Sequence, residues 1–192
     1  MGLKVFSRTF NQPSQEFMDF ASNIQNNSGI PVIYDGTFPQ NVKMDLNLGN
    51  VADAIYCFPY GKFKENVCLN PNVINMTGQY PFSCVLHELA HATGHPKRLN
   101  RITMNPKNYH ASVINRAVEE IIAETTAMGL MEFLGLADGD TMARSEGYIN
   151  KWLQDFKKEA TVYPSSELRD EMRKESARAS EYILNKWIKK GN

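Results

Sequence analysis

The chain has 192 residues, 42% hydrophobic and 22% charged, which is ordinary globular usage and excludes a largely disordered polymer. Lys plus Arg and Asp plus Glu both number 21, so the formal net charge is zero, unlike a protein built chiefly to grip phosphate backbones. No run approaches the ~20 apolar residues that span a bilayer, and residues 1–10 carry no signal-peptide core. Cys57, Cys68 and Cys84 form no CxxC pair, so reduced thiols in a cytoplasmic protein are expected, with Cys57 and Cys68 free to face each other across neighbouring strands.

Residues 12–26 predict a short helix, with Phe17, Met18, Phe20, Ala21 and Ile24 near helical spacing. Short β-like pieces follow at 30–34, 52–58 and 66–69, separated by turn residues such as Asp35-Gly36 and Pro59-Tyr60-Gly61, as in a small sheet containing a hairpin. After Pro81 the pattern turns helical. Residues 82–93 form one helix, stopped by Gly94 and Pro96. A second runs over 112–134, with Val113, Ala117, Ile121, Met128 and Leu130 as core candidates and Gly135 as its end. A third, 142–159, is expected to bury Tyr148, Ile149, Trp152, Leu153 and Phe156. A fourth, 166–190, is heavily charged but carries Met172, Ala179, Tyr182, Ile183 and Trp187. Without repeat or linker, the reading is one α+β domain over 1–192, sheet-rich to about residue 80 and helical after it.

The chemistry concentrates in Cys84-Val-Leu-His87-Glu88-Leu-Ala-His91-Ala-Thr-Gly94-His95. His87 and His91 lie four apart, so their imidazoles leave one helix face about a turn apart and can share one Zn²⁺. Glu88, beside the first of them, can take a proton from a water that the metal has acidified. A catalytic zinc usually has three protein ligands. The HExxHxxGxxH continuation fails, because its third histidine position is Lys97. The third ligand is therefore sought in Glu119, Glu120, Glu124 or His95. Glu120 and Glu124 share a face of the second helix, whereas Glu119 and Glu120 diverge by about 100° and are not expected in one small site. His95 follows the helix-ending Gly94 and is expected at the rim. Cys84, three before His87, reads as a buried thiol. Tyr109, His110 and Tyr148 are candidate donors to a developing oxyanion. Lys97, Arg98 and Arg101 read as a solvated loop whose arginines tie down helix ends.

The stretch His87-Glu-Leu-Ala-His91-Ala-Thr-Gly94-His95-Pro-Lys-Arg-Leu-Asn-Arg101 resembles the zincin-like metallopeptidase domain of ArdC-type antirestriction proteins of plasmids and phages. Asp53-Ala-Ile-Tyr-Cys-Phe-Pro59, Glu119-Glu120-Ile-Ile-Ala-Glu124, Gly147-Tyr148-Ile-Asn-Lys-Trp152-Leu and Ala179-Ser-Glu-Tyr-Ile183 are similar to further landmarks of that domain, so the likeness runs from about Phe17 to Trp187. The chain departs from it at Ala92, where an aromatic residue is common, and at Arg116, where a Tyr is. The N-terminal single-stranded-DNA-binding domain of full-length ArdC-type proteins is expected to be missing.

The resemblance implies a zincin fold and places the third ligand at Glu120, leaving Glu124 to orient an imidazole. The expected function is a zinc metallopeptidase of phage or plasmid type, with His87, His91 and Glu120 on the metal and Glu88 as general base. Its partner would be a protein or peptide substrate, with nucleic acid bound weakly and no membrane. The alternative is an antirestriction binding protein whose metal is structural or silent.

Overall fold

Residues 13–34, 52–59, 64–74, 76 and 78–188 are described by a computed structural model. Polar caps set most helix starts. Ser14, Asn105, Ser112, Asp138 and Ser165 each accept a backbone N–H of the first turn through their side chains. They open α1 (Gln15–Ser28), α4 (Pro106–Ala111), α5 (Val113–Leu134), α6 (Gly139–Ala160) and α7 (Ser166–Lys186). Between α1 and α4 come β1 (Val32–Ile33), β2 (Ala54–Cys57), β3 (Asn66–Leu69), the single turn α2 (Pro71–Ile74), and α3 (Tyr80–Thr93). The turns expected at Asp35-Gly36 and around Tyr60-Gly61 lie outside the described residues, as does Gln12.

The sheet has the order β1-β3-β2. β2 and β3 pair antiparallel, with Ala54 opposite Leu69 and Cys57 opposite Asn66; β1 runs parallel to β3, with Val32 opposite Val67. Central β3 is buried along its whole length. No disulfide joins the cysteines; Cys57 and Cys68 are diagonal neighbours across β2 and β3, and the Cys68 thiol donates to Asn66 Oδ1 at 2.9 Å.

Helix α3 is buried from Pro81 to Thr93, so its apolar sides pack on the sheet, α5 and α7 while its polar side chains face inward. One apolar cluster joins α1, the sheet, α3, the C-terminal half of α5 and the end of α7; a second joins Ala117, Val118, Ile121 and Ile122 of α5 to Phe156 and Met172.

Several expectations need correction. Of the five residues expected to be buried in the third helix, only Phe156 is fully buried; Tyr148, Ile149, Trp152 and Leu153 are half-buried because α6 is an outer layer whose main neighbour is α5. Val113, at the first turn of α5, is 41% exposed. Helix α7 ends at Lys186, where the Trp187 and Ile188 N–H groups both close on the Ile183 carbonyl. The short α2 and α4 and a 3₁₀ turn at Ile102–Met104 are additions to the sequence reading, each too short for a periodic signal.

Candidate metal centre

Gly94 terminates α3 in right-handed geometry (φ −70°), so a left-handed backbone is not why glycine stands there. The reason is space: a Cβ on Gly94 would lie 2.7 Å from Met104 Cβ and 3.0 Å from Arg101 Nη2. This contact lets the chain fold back tightly, so that Arg101 points under the helix at Thr93 and the Ala90 carbonyl, donating at 2.7 and 2.6 Å. Arg98 donates to the Ala92 carbonyl at 2.7 Å, so both arginines tie down the end of α3 as expected, but the loop is not solvated throughout, because Arg101 is buried against Glu119.

Within α3, one turn brings the two imidazoles together. His87 Nε2 and His91 Nε2 are 3.1 Å apart, and the Glu120 carboxylate of α5 lies 3.3 Å from the first and 3.5 Å from the second. These three residues offer donor atoms within 4.8 Å of one another. Donors about 2.0–2.2 Å from a tetrahedral Zn²⁺ are separated by roughly 3.4 Å, which is the spacing seen here.

Each imidazole is also held from behind. His87 Nδ1 lies 2.6 Å from Glu124 Oε2, and His91 Nδ1 lies 3.2 Å from Glu119 Oε1. A carboxylate only accepts, so each ring carries a proton on Nδ1 and aims Nε2 at Glu120. The divergence of Glu119 from Glu120 therefore does not remove Glu119 from the site. The two carboxylates reach opposite nitrogens of His91, because the ring fills the angle between them. Glu119 is in turn gripped by Arg101, with Nη2 at 2.6 Å and Nε at 3.1 Å, and by the Thr103 hydroxyl at 2.5 Å. The sequence reading placed Glu124 behind an imidazole and held Glu119 as a further candidate, but the grip of Arg101 and Thr103 on Glu119 was not foreseen; a glutamate amid the apolar positions of α5 is itself a signal that a buried cation must meet it.

Glu88 accepts the Tyr56 backbone N–H of β2 through Oε2 at 2.5 Å. The Tyr109 hydroxyl donates to Glu120 Oε1, and the Tyr148 hydroxyl donates to Oε2 at 2.8 Å. His110 is exposed, its ring edge-on to Tyr109 and turned out of the cluster, so it is not placed to stabilise an oxyanion there. His95 lies outside the donor cluster, tilted against Phe58 at 4.9 Å and accepting the Lys97 N–H. Cys84 is a buried thiol whose pKa is raised by burial and then by Asp53.

Four carboxylates, Glu88, Glu119, Glu120 and Glu124, are buried here against one guanidinium. The titration of these groups follows from that excess. Burial opposes charge on His87, but its hydrogen bonds to Glu120 and Glu124 outweigh this and hold its pKa well above the ordinary value. His91 is raised to about 9, burial being outweighed by Glu120 and Glu119. Glu119 is held down to about 2, because Arg101 and His91 overcome its burial, and Glu120 lies well below the usual range through His91 and His87. Burial raises Glu88 despite the two histidines. Burial and the charge of Glu120 raise Tyr109 and Tyr148, which stay protonated donors. A site that draws protons onto two imidazoles is one that a divalent cation fits in both charge and donor type.

A cavity of about 460 Å³ opens beside the cluster, walled by Ala54, Cys84, His87, Glu88, Glu124 and Tyr148 among others. Among the described residues no helix is long and apolar enough to cross a membrane.

The DNA primase TraC of Escherichia coli is 34% identical over 82 residues, which cover 40% of this chain and 7% of that protein. The chain thus spans a small fraction of the length of the curated relative it matches. No solved structure matches it. The zincin-like metallopeptidase family matches residues 41–164, a stretch that contains β2, β3, the histidine helix and Glu119, Glu120 and Glu124 of α5. With two thirds of its length in that match and an α+β architecture around the paired histidines, this chain belongs to the zincin-like metallopeptidase family, a family of metal-dependent hydrolases.

Proposed function

We propose that the protein is a zinc-dependent peptidase in which His87, His91 and Glu120 hold the metal and Glu88 is the general base. The observation that carries this reading is the convergence of two Nε2 atoms and one carboxylate at tetrahedral spacing, with both Nδ1 atoms already committed to other carboxylates. With zinc bound, the site gains a Lewis acid that lowers the pKa of water from 15.7 to about 7 and polarises a carbonyl.

The residues of the chain do the rest. Glu88 takes the proton of the attacking water and passes it to the leaving amine as the C–N bond breaks. The Tyr56 N–H fixes one of its oxygens. Tyr148, on the cavity wall, would turn its hydroxyl from Glu120 Oε2 to a substrate oxygen that gains negative charge. Tyr109 acts through Glu120, holding its carboxylate.

The test is zinc loading of wild-type protein and Glu88→Gln. Wild type is expected to cleave an unstructured protein such as casein, and Glu88→Gln to hold zinc equally well while losing activity by at least about 10²-fold. Equal cleavage by the two would overturn the assignment.

The resemblance to ArdC-type domains and the likeness to part of a DNA primase support a setting on a phage or plasmid, in a bacterial cytoplasm. They also support a second reading: a host-defence-evasion protein that works by binding, its metal structural or silent. If antirestriction survives Glu88→Gln but not Glu120→Ala, the second reading holds.

A further inference from the structure

Helix α6 turns one stripe toward the metal centre. Arg144, Tyr148 and Lys151 stand at i, i+4 and i+7, on a single face, and all three wall the cavity that His87 and Glu88 also wall. Tyr148 is the link: its ring centroid lies 5.7 Å from that of His87 and 5.8 Å from Lys151 Nζ. Lys151 also sits 5.0 Å from the Trp152 ring, and Arg144 lies 5.2 Å from the ring of Tyr80, another wall residue.

Both cations are therefore propped on aromatic faces while their charged ends stay exposed. Among the described residues, neither has a carboxylate within salt-bridge distance. The acids of the wall are occupied elsewhere. Asp53 accepts the Tyr80 hydroxyl at 2.6 Å, Glu88 the Tyr56 N–H, and Glu124 is on His87. Asp155, one turn beyond Lys151, takes Lys158 at 2.9 Å and feels the charge of Lys151 more weakly, from beyond salt-bridge distance.

We infer that this cavity is a side-chain subsite for an acidic residue, so that the preferred substrate is a peptide with Glu or Asp next to the scissile bond, its carboxylate received by Arg144 and Lys151. This rests on the peptidase reading for the cleavage it predicts, but not for the binding. A peptide is favoured over a nucleic acid because the cations flank a bounded cavity at the metal centre, while the chain as a whole has no basic excess.

The experiment offers blocked hexapeptides carrying Glu, Gln or Lys at one position to the zinc-loaded protein, and measures their binding to zinc-loaded Glu88→Gln by calorimetry. Glu peptides are expected to exceed Gln peptides by about tenfold or more in kcat/KM and in affinity, as a charge-assisted hydrogen bond gives. Arg144→Gln with Lys151→Gln should bring the ratio of Glu to Gln peptides to within about twofold in both kcat/KM and affinity. Both positions are exposed, so the double variant keeps the fold. Cleavage without Glu preference overturns the inference and leaves the peptidase standing. Glu-selective binding with no peptide cleaved upholds the inference and overturns the peptidase. Binding of a single-stranded oligonucleotide that needs Arg144 and Lys151, with no peptide preference, overturns it in favour of a phosphate-bearing partner.

Discussion

Arg101 and Glu119 form a bidentate ion pair, Nη2 to Oε1 at 2.6 Å and Nε to Oε2 at 3.1 Å, with Glu119 fully buried and touching His91. The pair is the far end of a chain that runs from the loop after α3 through Glu119 and His91 to the cluster of donor atoms. Arg101→Met is expected to leave a buried charge unpartnered and cost about 3–5 kcal/mol in thermal or denaturant unfolding. Glu119→Gln, which keeps an acceptor for His91, is expected to fold and to lower zinc affinity by roughly 10- to 100-fold, read by chelator competition. Unchanged affinity in Glu119→Gln would mean that the pair serves the fold alone.

The coordination sphere gives a graded series. Native protein is expected to hold about one equivalent of zinc by elemental analysis. Glu120→Ala should lose most of the affinity, Glu124→Gln about 10- to 100-fold, and His95→Ala little, since His95 packs on Phe58 away from the donors. If His95→Ala empties the site while Glu120→Ala does not, the ligand assignment fails.

Gly94→Ala tests the close approach of the loop to α3. The added methyl meets Met104 and Arg101 within 3.0 Å, so a loss of about 1–3 kcal/mol is expected by denaturation, and zinc binding should weaken as Arg101 shifts. A variant as stable as wild type would show that the loop yields freely.

Acid dependence is expected from Glu65. Burial raises its pKa, but Arg98, at 2.5 and 2.7 Å, and the Tyr56 hydroxyl together take it below the usual carboxylate value. A depressed carboxylate contributes stability that is present above the unfolded pKa of about 4.3 and is lost as pH falls through the lower folded value. The stability gap between wild type and Glu65→Gln should therefore be widest near neutral pH and close below about pH 4 in urea titrations. A gap that does not change with pH would remove the ion pair as its cause.

Nucleic acid binding is expected to be weak. With 21 cationic and 21 anionic side chains, single-stranded DNA retained at low salt should dissociate near physiological salt in a gel shift. Submicromolar binding at that salt would favour the binding-protein reading.

His87, Glu88 and His91 were legible in the sequence because their relation is local: helical period alone sets the angle between positions i and i+4. The five longer helices were legible for the same reason, each carrying apolar residues at helical spacing and most a polar cap. The choice among Glu119, Glu120 and Glu124 was less so, since periodicity orders them around α5 but cannot say which nitrogen of which imidazole each will meet. That depended on how α5 crosses α3. The Tyr56 N–H on Glu88, the Arg101 grip on Glu119, the pairing of β1 with β3, and the approach of Tyr148 to His87 all join segments far apart in the chain. No spacing rule governs such contacts; only the packing of α3 between the sheet and α5 brings them together. Local chemistry is written in residue order, whereas the electrostatic frame around it exists only once buried charges must find partners across the folded core.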